Sequence, residues 1–174
     1  LSSYPTIKVI QTGKDMPDYQ RLQTAIDAGA EAYISVHFND KNSTRGTEVW
    51  ASATEYTENG EKVELGDNTE SINFGTTLMN SISGQMNMGV TTSKVREYYK
   101  EIKSTLKTSE ECGIPNVYVF GNNMATDVLD ELMKDDEQGL DDYAQGIVNG
   151  ILEYYDSAGN TSETGEVNAN VNER

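Results

Sequence analysis

The chain carries one histidine and one cysteine, His37 and Cys112. An imidazole can act as a general acid or base, as one ligand of a metal, or as a pH-sensitive contact. Alone it cannot build a multi-histidine metal site. A single thiol likewise excludes an intrachain disulfide, a four-cysteine zinc site and any mixed set of several cysteines and histidines. Cys112 precedes Gly113-Ile114-Pro115, a turn sequence, and reads as a small core or loop residue rather than a nucleophile. The carboxylates are many but bland in pattern. Asp135-Asp136-Glu137 reads as a solvated helix junction, and Asp127, Asp130 and Glu131 suit the positive start of a helix. Glu48 falls within a strand and reads as a rim or surface residue.

These groups need elements to position them. Thr6 to Thr12 alternates β-branched and polar residues and predicts a strand. From Pro17 a helical pattern follows, with Tyr19, Leu22, Ala25 and Ile26 on one face, Asp18 as N-cap and Gly29 near the end. Ala32 to Phe38 is largely apolar, as expected of a strand covered on both faces, and Gly46 to Trp50 predicts another. Residues 54 to 70 are polar with an Asn59-Gly60 turn, which suggests a surface excursion or hairpin. Phe74, Leu78, Met79, Ile82 and Met86 mark a core-facing helix. Pro115 to Gly121 predicts a third apolar strand, and helices follow from Ala125 and from Leu140 to Tyr155. This alternation implies a three-layer α/β/α domain over residues 1–155 with a mostly parallel, mixed central sheet. Residues 156–174 lose all apolar periodicity and read as a polar linker or tail. In such sheets ligands bind beyond the carboxyl ends of the strands, where His37 and Asn39 lie at one end and Gly121 to Asn123 at another.

A length of 174 residues is enough for one domain with a real core. With 29 acidic and 13 basic residues, the net charge of −16 argues against nucleic acid or an anionic membrane as a partner, since its field repels both. No apolar run has the length of a transmembrane helix, and no signal peptide is visible. The sequence starts at Leu1 rather than Met, as expected of a processed chain or a portion of a longer one.

Four stretches in order resemble one family. Arg21 through Gly29-Ala30 into Tyr33-Ile34-Ser35-Val36-His37-Phe38-Asn39 resembles the "ADLFISIHAN" signature of zinc-dependent N-acetylmuramoyl-L-alanine amidases. Gly46-Thr47-Glu48-Val49-Trp50 is similar to the "GTEVWY" strand that follows it, and Phe74 to Ile82 with Gly89-Val90 and Val95-Arg96 to the next helix and "RGVK" segment. Ile114-Pro115-Asn116-Val117-Tyr118-Val119 resembles "IPAVLVEVGF", and Ile7 to Thr12 the "VVLTR" strand. The likeness covers about residues 6 to 155.

The resemblance implies a fold, a metal and a reaction. In the family one zinc is held by two histidines and a glutamate, leaving a position for water whose pKa the metal lowers. A glutamate after the last strand is the general base for attack on the lactyl amide. Carried onto this sequence, His37 matches the second histidine ligand, and Phe120 stands at the catalytic glutamate. Asn122-Asn123 replace the following Gly-Phe, and Asn39 and Asn122 are the candidate substrate contacts. The other two ligands and the family's first strand would precede Thr6, where Leu1 to Pro5 supply no ligand. The domain is therefore expected to be incomplete at its N-terminus, or its sheet rearranged, and zinc is not expected on this chain alone. No catalytic residue is assigned. The expectation is a bacterial, secreted, non-catalytic amidase-like domain that contacts peptidoglycan stem peptide or a cell-wall protein. A portion of an active amidase and a structural assembly module are the alternatives.

Overall fold

The computed structural model describes residues 7–100, 102–158 and 166–171. Its centre is a six-stranded sheet built from β1 (Lys8–Val9), β2 (Ala32–Asn39), β3 (Glu48–Ser52), β6 (Arg96–Tyr98), β7 (Asn116–Asn123) and β8 (Glu166–Val171). The spatial order is β1-β8-β2-β7-β3-β6. β1, β8, β2 and β7 run parallel, and β3 is antiparallel to β7. β6 pairs with β3 in parallel, so the sheet is mixed but mostly parallel, as the sequence implies. Beside it, β4 (Glu55–Glu58) and β5 (Glu61–Glu64) form the expected hairpin. Its turn residues Asn59 and Gly60 have φ of 51° and 85°, the pair of positive values that a type I′ turn demands.

The two faces of the sheet carry different covers. α2 (Thr69–Gln85) and α5 (Lys134–Ala158) lie on one, where Ile34, Val36, Val49, Val117 and Val119 meet Phe74, Leu78, Ile82, Ile147 and Ile151. α1 (Asp18–Asp27) and the stretch around Ile102 and Leu106 cover part of the other, with Leu22, Ala25 and Tyr33 as a second core. The short helices α3 (Ser109–Cys112) and α4 (Thr126–Leu132) flank β7 in sequence. Asp18 is the first residue of α1 rather than its cap. Pro17 holds the cap position without a side-chain hydrogen bond, and Asp18 instead ion-pairs with Arg21 at 3.2 Å.

Of the strand expected at Thr6 to Thr12, Thr6 lies outside the described residues and Lys8–Val9 are in strand. Of residues 156–174, read from the sequence as a polar linker or tail, 159–165 and 172–174 lie outside the described residues. α5 continues to Ala158, and Glu166–Val171 enter the sheet as β8 between β1 and β2. Apolar periodicity could not reveal this, because a ladder is made by backbone groups that a polar sequence carries equally well.

Candidate functional site

β2, β7 and β3 carry His37, Phe120 and Glu48 to one level of the sheet. The register pairs His37 with Phe120 and Phe120 with Glu48, so the phenyl ring stands between the imidazole and the carboxylate. Directly paired residues share a face, which is the one opposite the α2–α5 core. An irregularity in the β2–β7 register follows at once, between His37 and Asn39, where three residues of β7 advance against two of β2. Such bulges bend a strand and re-aim its end.

His37 is half-buried among rings. It stacks on Phe120 at 5.6 Å and 30° and meets Tyr118 edge-on at 4.8 Å. Trp50 extends the cluster, with its ring 4.8 Å from that of Phe120 and 4.5 Å from that of Tyr98. The Nε2 atom of His37 lies 2.6 Å from Ser35 Oγ, on the same face two residues earlier. Burial pushes the Tyr118 phenol up to about 12, so that ring keeps its proton at neutral pH.

Glu48 is not a rim residue. It is 4% exposed and surrounded by donors. Asn39 Nδ2 and Thr91 Oγ1 donate to Oε2 at 3.3 and 3.1 Å, and Trp50 Nε1 donates to Oε1. Arg96 Nε lies 2.9 Å from Oε1, a charge contact rather than an aligned hydrogen bond. The carboxylate thus ties together the end of β2, β3, the loop before β6 and β6 itself. The sequence hid this because Asn39, Thr91 and Arg96, unlike Trp50, lie well away from Glu48 along the chain. The one legible signal was the alternation that puts Glu48 and Trp50 on the same face.

The two asparagines occupy different environments. Asn39 is half-buried, and its Oδ1 accepts from Asp40 N and Ser43 Oγ. Asn122 is fully buried and engaged within the fold: its Oδ1 accepts from Gly46 N and Asn123 N at 2.9 Å, and its Nδ2 donates to Met88 Sδ. Gly46 itself has φ of 126°, and a Cβ there would meet Gly89 O at 2.5 Å, so the wall beside Asn122 admits only glycine. From the other face, the Tyr143 hydroxyl of α5 lies 3.0 Å from His37 O and 3.1 Å from Val119 O, bridging the two strands that carry the site. Burial raises the Tyr143 phenol far above its ordinary range. Cys112 stands apart at the end of α3, its thiol 3.2 Å from Ile114 O and its pKa pushed up by burial, which disfavours the thiolate.

The family profile of N-acetylmuramoyl-L-alanine amidases (Amidase_3) matches residues 1–153. The chain belongs to this family. Among solved structures similar to this amidase-family chain is the catalytic domain of CwlV, an N-acetylmuramoyl-L-alanine amidase from Bacillus (Paenibacillus) polymyxa var. colistinus. It aligns with a TM-score of 0.64 at 20% identity over 89% of this chain and 76% of that one. Ami1 of Mycobacterium smegmatis aligns with a TM-score of 0.60 at 21% identity over 80% of this chain. CwlD of Clostridioides difficile, solved in complex with the GerS lipoprotein, aligns with a TM-score of 0.57 at 15% identity over 79%. The chain spans 60% of each of the last two structures. At these identities the likeness is one of fold, and it matches the mixed sheet flanked by helices. No curated protein matches the sequence.

Among the described residues, no three His, Cys, Asp or Glu side chains come close enough to hold an ion. Glu48, the carboxylate at the level of His37, already meets four partners across both oxygens. Phe120, between them, offers no lone pair. The arrangement is suited to holding a ligand against rings and a polar rim.

Proposed function

We propose that this chain is an amidase-fold domain that binds the peptidoglycan stem peptide without cleaving it. The observation that carries the reading is Phe120, 8% exposed and set between His37 and Glu48 at the position the resemblance gives to the general base. Hydrolysis of the lactyl amide requires a group that takes a proton from water and returns it to the leaving amine. A phenyl ring does neither, and the nearby Glu48 is held by its donors. What the site offers is an aromatic wall of His37, Tyr118, Phe120 and Trp50 beside the polar Asn39, suited to an apolar side chain with a peptide group at its edge. Membership in a peptidoglycan amidase family supports an action at the cell wall or outside the cell. CwlD, solved with a lipoprotein, supports a cell-wall protein as a second class of ligand.

The test is co-sedimentation of the full chain with purified peptidoglycan, alongside a muropeptide cleavage assay with zinc supplied. The wild-type chain is expected to sediment with the wall and to release no stem peptide. Asn39→Ala should weaken binding about tenfold, the equivalent of one hydrogen bond. Stem-peptide release accompanied by stoichiometric zinc would sink the reading in favour of an active amidase. Retention of a protein partner without any affinity for peptidoglycan would shift it to the protein-binding alternative.

A further inference from the structure

Arg96 is held differently from the other cations of this chain. Its Nε is buried 2.9 Å from Glu48 Oε1 without an aligned hydrogen bond, and its Nη1 donates to the Tyr98 hydroxyl at 3.2 Å. No partner among the described residues takes Nη2. The ion pair is polarised. The side chain of Glu48 is 5% exposed and that of Arg96 39%, so a ligand entering the site meets the cation first. Glu48 does not depend on this contact for its hydrogen bonds, because Asn39 and Thr91 serve one oxygen and Trp50 the other. The buried carboxylate fixes the guanidinium rather than consuming it.

The guanidinium lies along the ring-lined cleft. β6 pairs Arg96 with Trp50 and Tyr98 with Ser52, so both side chains share the face that carries Glu48 and Trp50. From His37 the rings run through Phe120 and Trp50 to Tyr98 in steps of 5.6, 4.8 and 4.5 Å. That run is as long as roughly three to four residues of extended peptide. The chain's few cations also gather here. Residues 94–107 hold five of the 13 basic residues and only two of the 29 acidic ones. Lys94 and Lys100 are exposed with no ion-pair partner among the described residues, and Lys103 Nζ lies 5.7 Å over the Tyr99 ring. At physiological salt the Debye length is about 8 Å, so a small anion at this end feels these cations more than the distant carboxylates.

We propose that Arg96 is the carboxylate anchor of this cleft: the bound peptide lays an apolar side chain on the rings and a free carboxylate on the guanidinium, at Nη2 and the remaining N–H of Nη1. The proposal rests on the reading of the site as a stem-peptide cleft, and it adds the charged group that the ligand must carry. A guanidinium presents its N–H groups in a fork that matches the two oxygens of a carboxylate, whereas a neutral amide offers one oxygen and no charge. Glu48 and Tyr98 already hold the fork in place, so less freedom is lost when the ligand arrives. A stem peptide with its carboxylates amidated is therefore the poorer ligand.

The experiment titrates the full chain with a soluble stem tetrapeptide, L-Ala-γ-D-Glu-L-Lys-D-Ala, and with the same peptide amidated at its carboxylates. Trp50 is the chain's single tryptophan and packs against Phe120 and Tyr98, so its emission reads the cleft directly. The free acid should bind about tenfold more tightly than the amide, the size of one charge-assisted contact. Arg96→Gln should bring the free acid down to the affinity of the amide, and Arg96→Lys should keep part of the difference, since the charge remains and the fork is lost. Rising salt should narrow the preference. Equal affinity of the wild-type chain for the two peptides overturns the anchor and leaves peptide binding intact. So does a preference that survives whole in Arg96→Gln. Binding of neither peptide overturns the anchor together with the stem-peptide reading. Where Arg96→Gln fails to fold, a preference undiminished in Arg96→Lys overturns the proposal as well.

Discussion

Glu48 shows how a residue's setting decides what it can do. A buried carboxylate is tolerated when its lone pairs are met, and here donors from Asn39, Trp50 and Thr91 and the charge of Arg96 meet them. Glu48→Ala removes the charge that faces Arg96 and leaves three donors unpaired. We expect a loss of about 2–3 kcal/mol, below the range for a fully buried pair because Arg96 keeps access to water. Glu48→Gln keeps the size and part of the hydrogen bonding and should lose less; urea denaturation of both variants checks the order. Gly121 is constrained by contact. A Cβ there would lie 2.7 Å from the Tyr143 ring, which is buried and bound to two carbonyls. Gly121→Ala should therefore destabilise by about 1–3 kcal/mol, as overpacking does, and weaken ligand binding by displacing the end of β7.

Among the elements, the α2–α5 pair forms the backing of the site. Close approach is possible because α5 presents glycines to α2: a Cβ on Gly146 would fall 2.7 Å from Ile82 Cα, and one on Gly150 3.0 Å from Leu78 Cα. Alanine normally favours a helix over glycine by about 1 kcal/mol. At Gly146 the obstacle is backbone, which cannot step aside as a flexible side chain would. Gly146→Ala is thus expected to lower stability despite its better propensity, by about 1–2 kcal/mol, and a fall in the thermal midpoint would record it. An alanine that raised the midpoint would show that the two helices are not in this close contact. The Met-containing stripe of α2 was legible as core, and Phe74, Leu78, Met79 and Ile82 are all buried. The caps were less legible. Thr108 caps α3 by accepting from Glu111 N at 3.2 Å, whereas Pro17 precedes α1 with no such bond.

For the molecule as a whole, buried tyrosines set the alkaline limit. Desolvation pushes Tyr118 up to about 12, and Tyr143 and Tyr155 higher still. In the unfolded chain a phenol loses its proton near pH 10. The folded state therefore holds more protons than the unfolded state above that pH. Stability from this source is complete below about pH 10 and falls as pH rises through 12. A pH series of denaturation midpoints with phenolate absorbance should show ionisation of these tyrosines arriving together with unfolding. Early ionisation of all ten tyrosines in a folded chain would contradict their burial.

The sequence alone determined the class of fold and the family, because both rest on local order: apolar runs for β2 and β7, helical spacing for α2 and α5, and a chain of motifs around His37. It also determined that one imidazole and one thiol set the limits of any chemistry. It could not read which face of a strand is covered, so Glu48 passed for a rim residue, and Asn122 could not be told from Asn39 as a surface contact. The position of β8 was hidden for a related reason, since backbone pairing leaves no mark on side-chain pattern. Only the tertiary structure set Phe120 between His37 and Glu48 and brought the C-terminal hexapeptide into the sheet beside them. Each of these depends on register between strands distant in sequence, which no local pattern encodes.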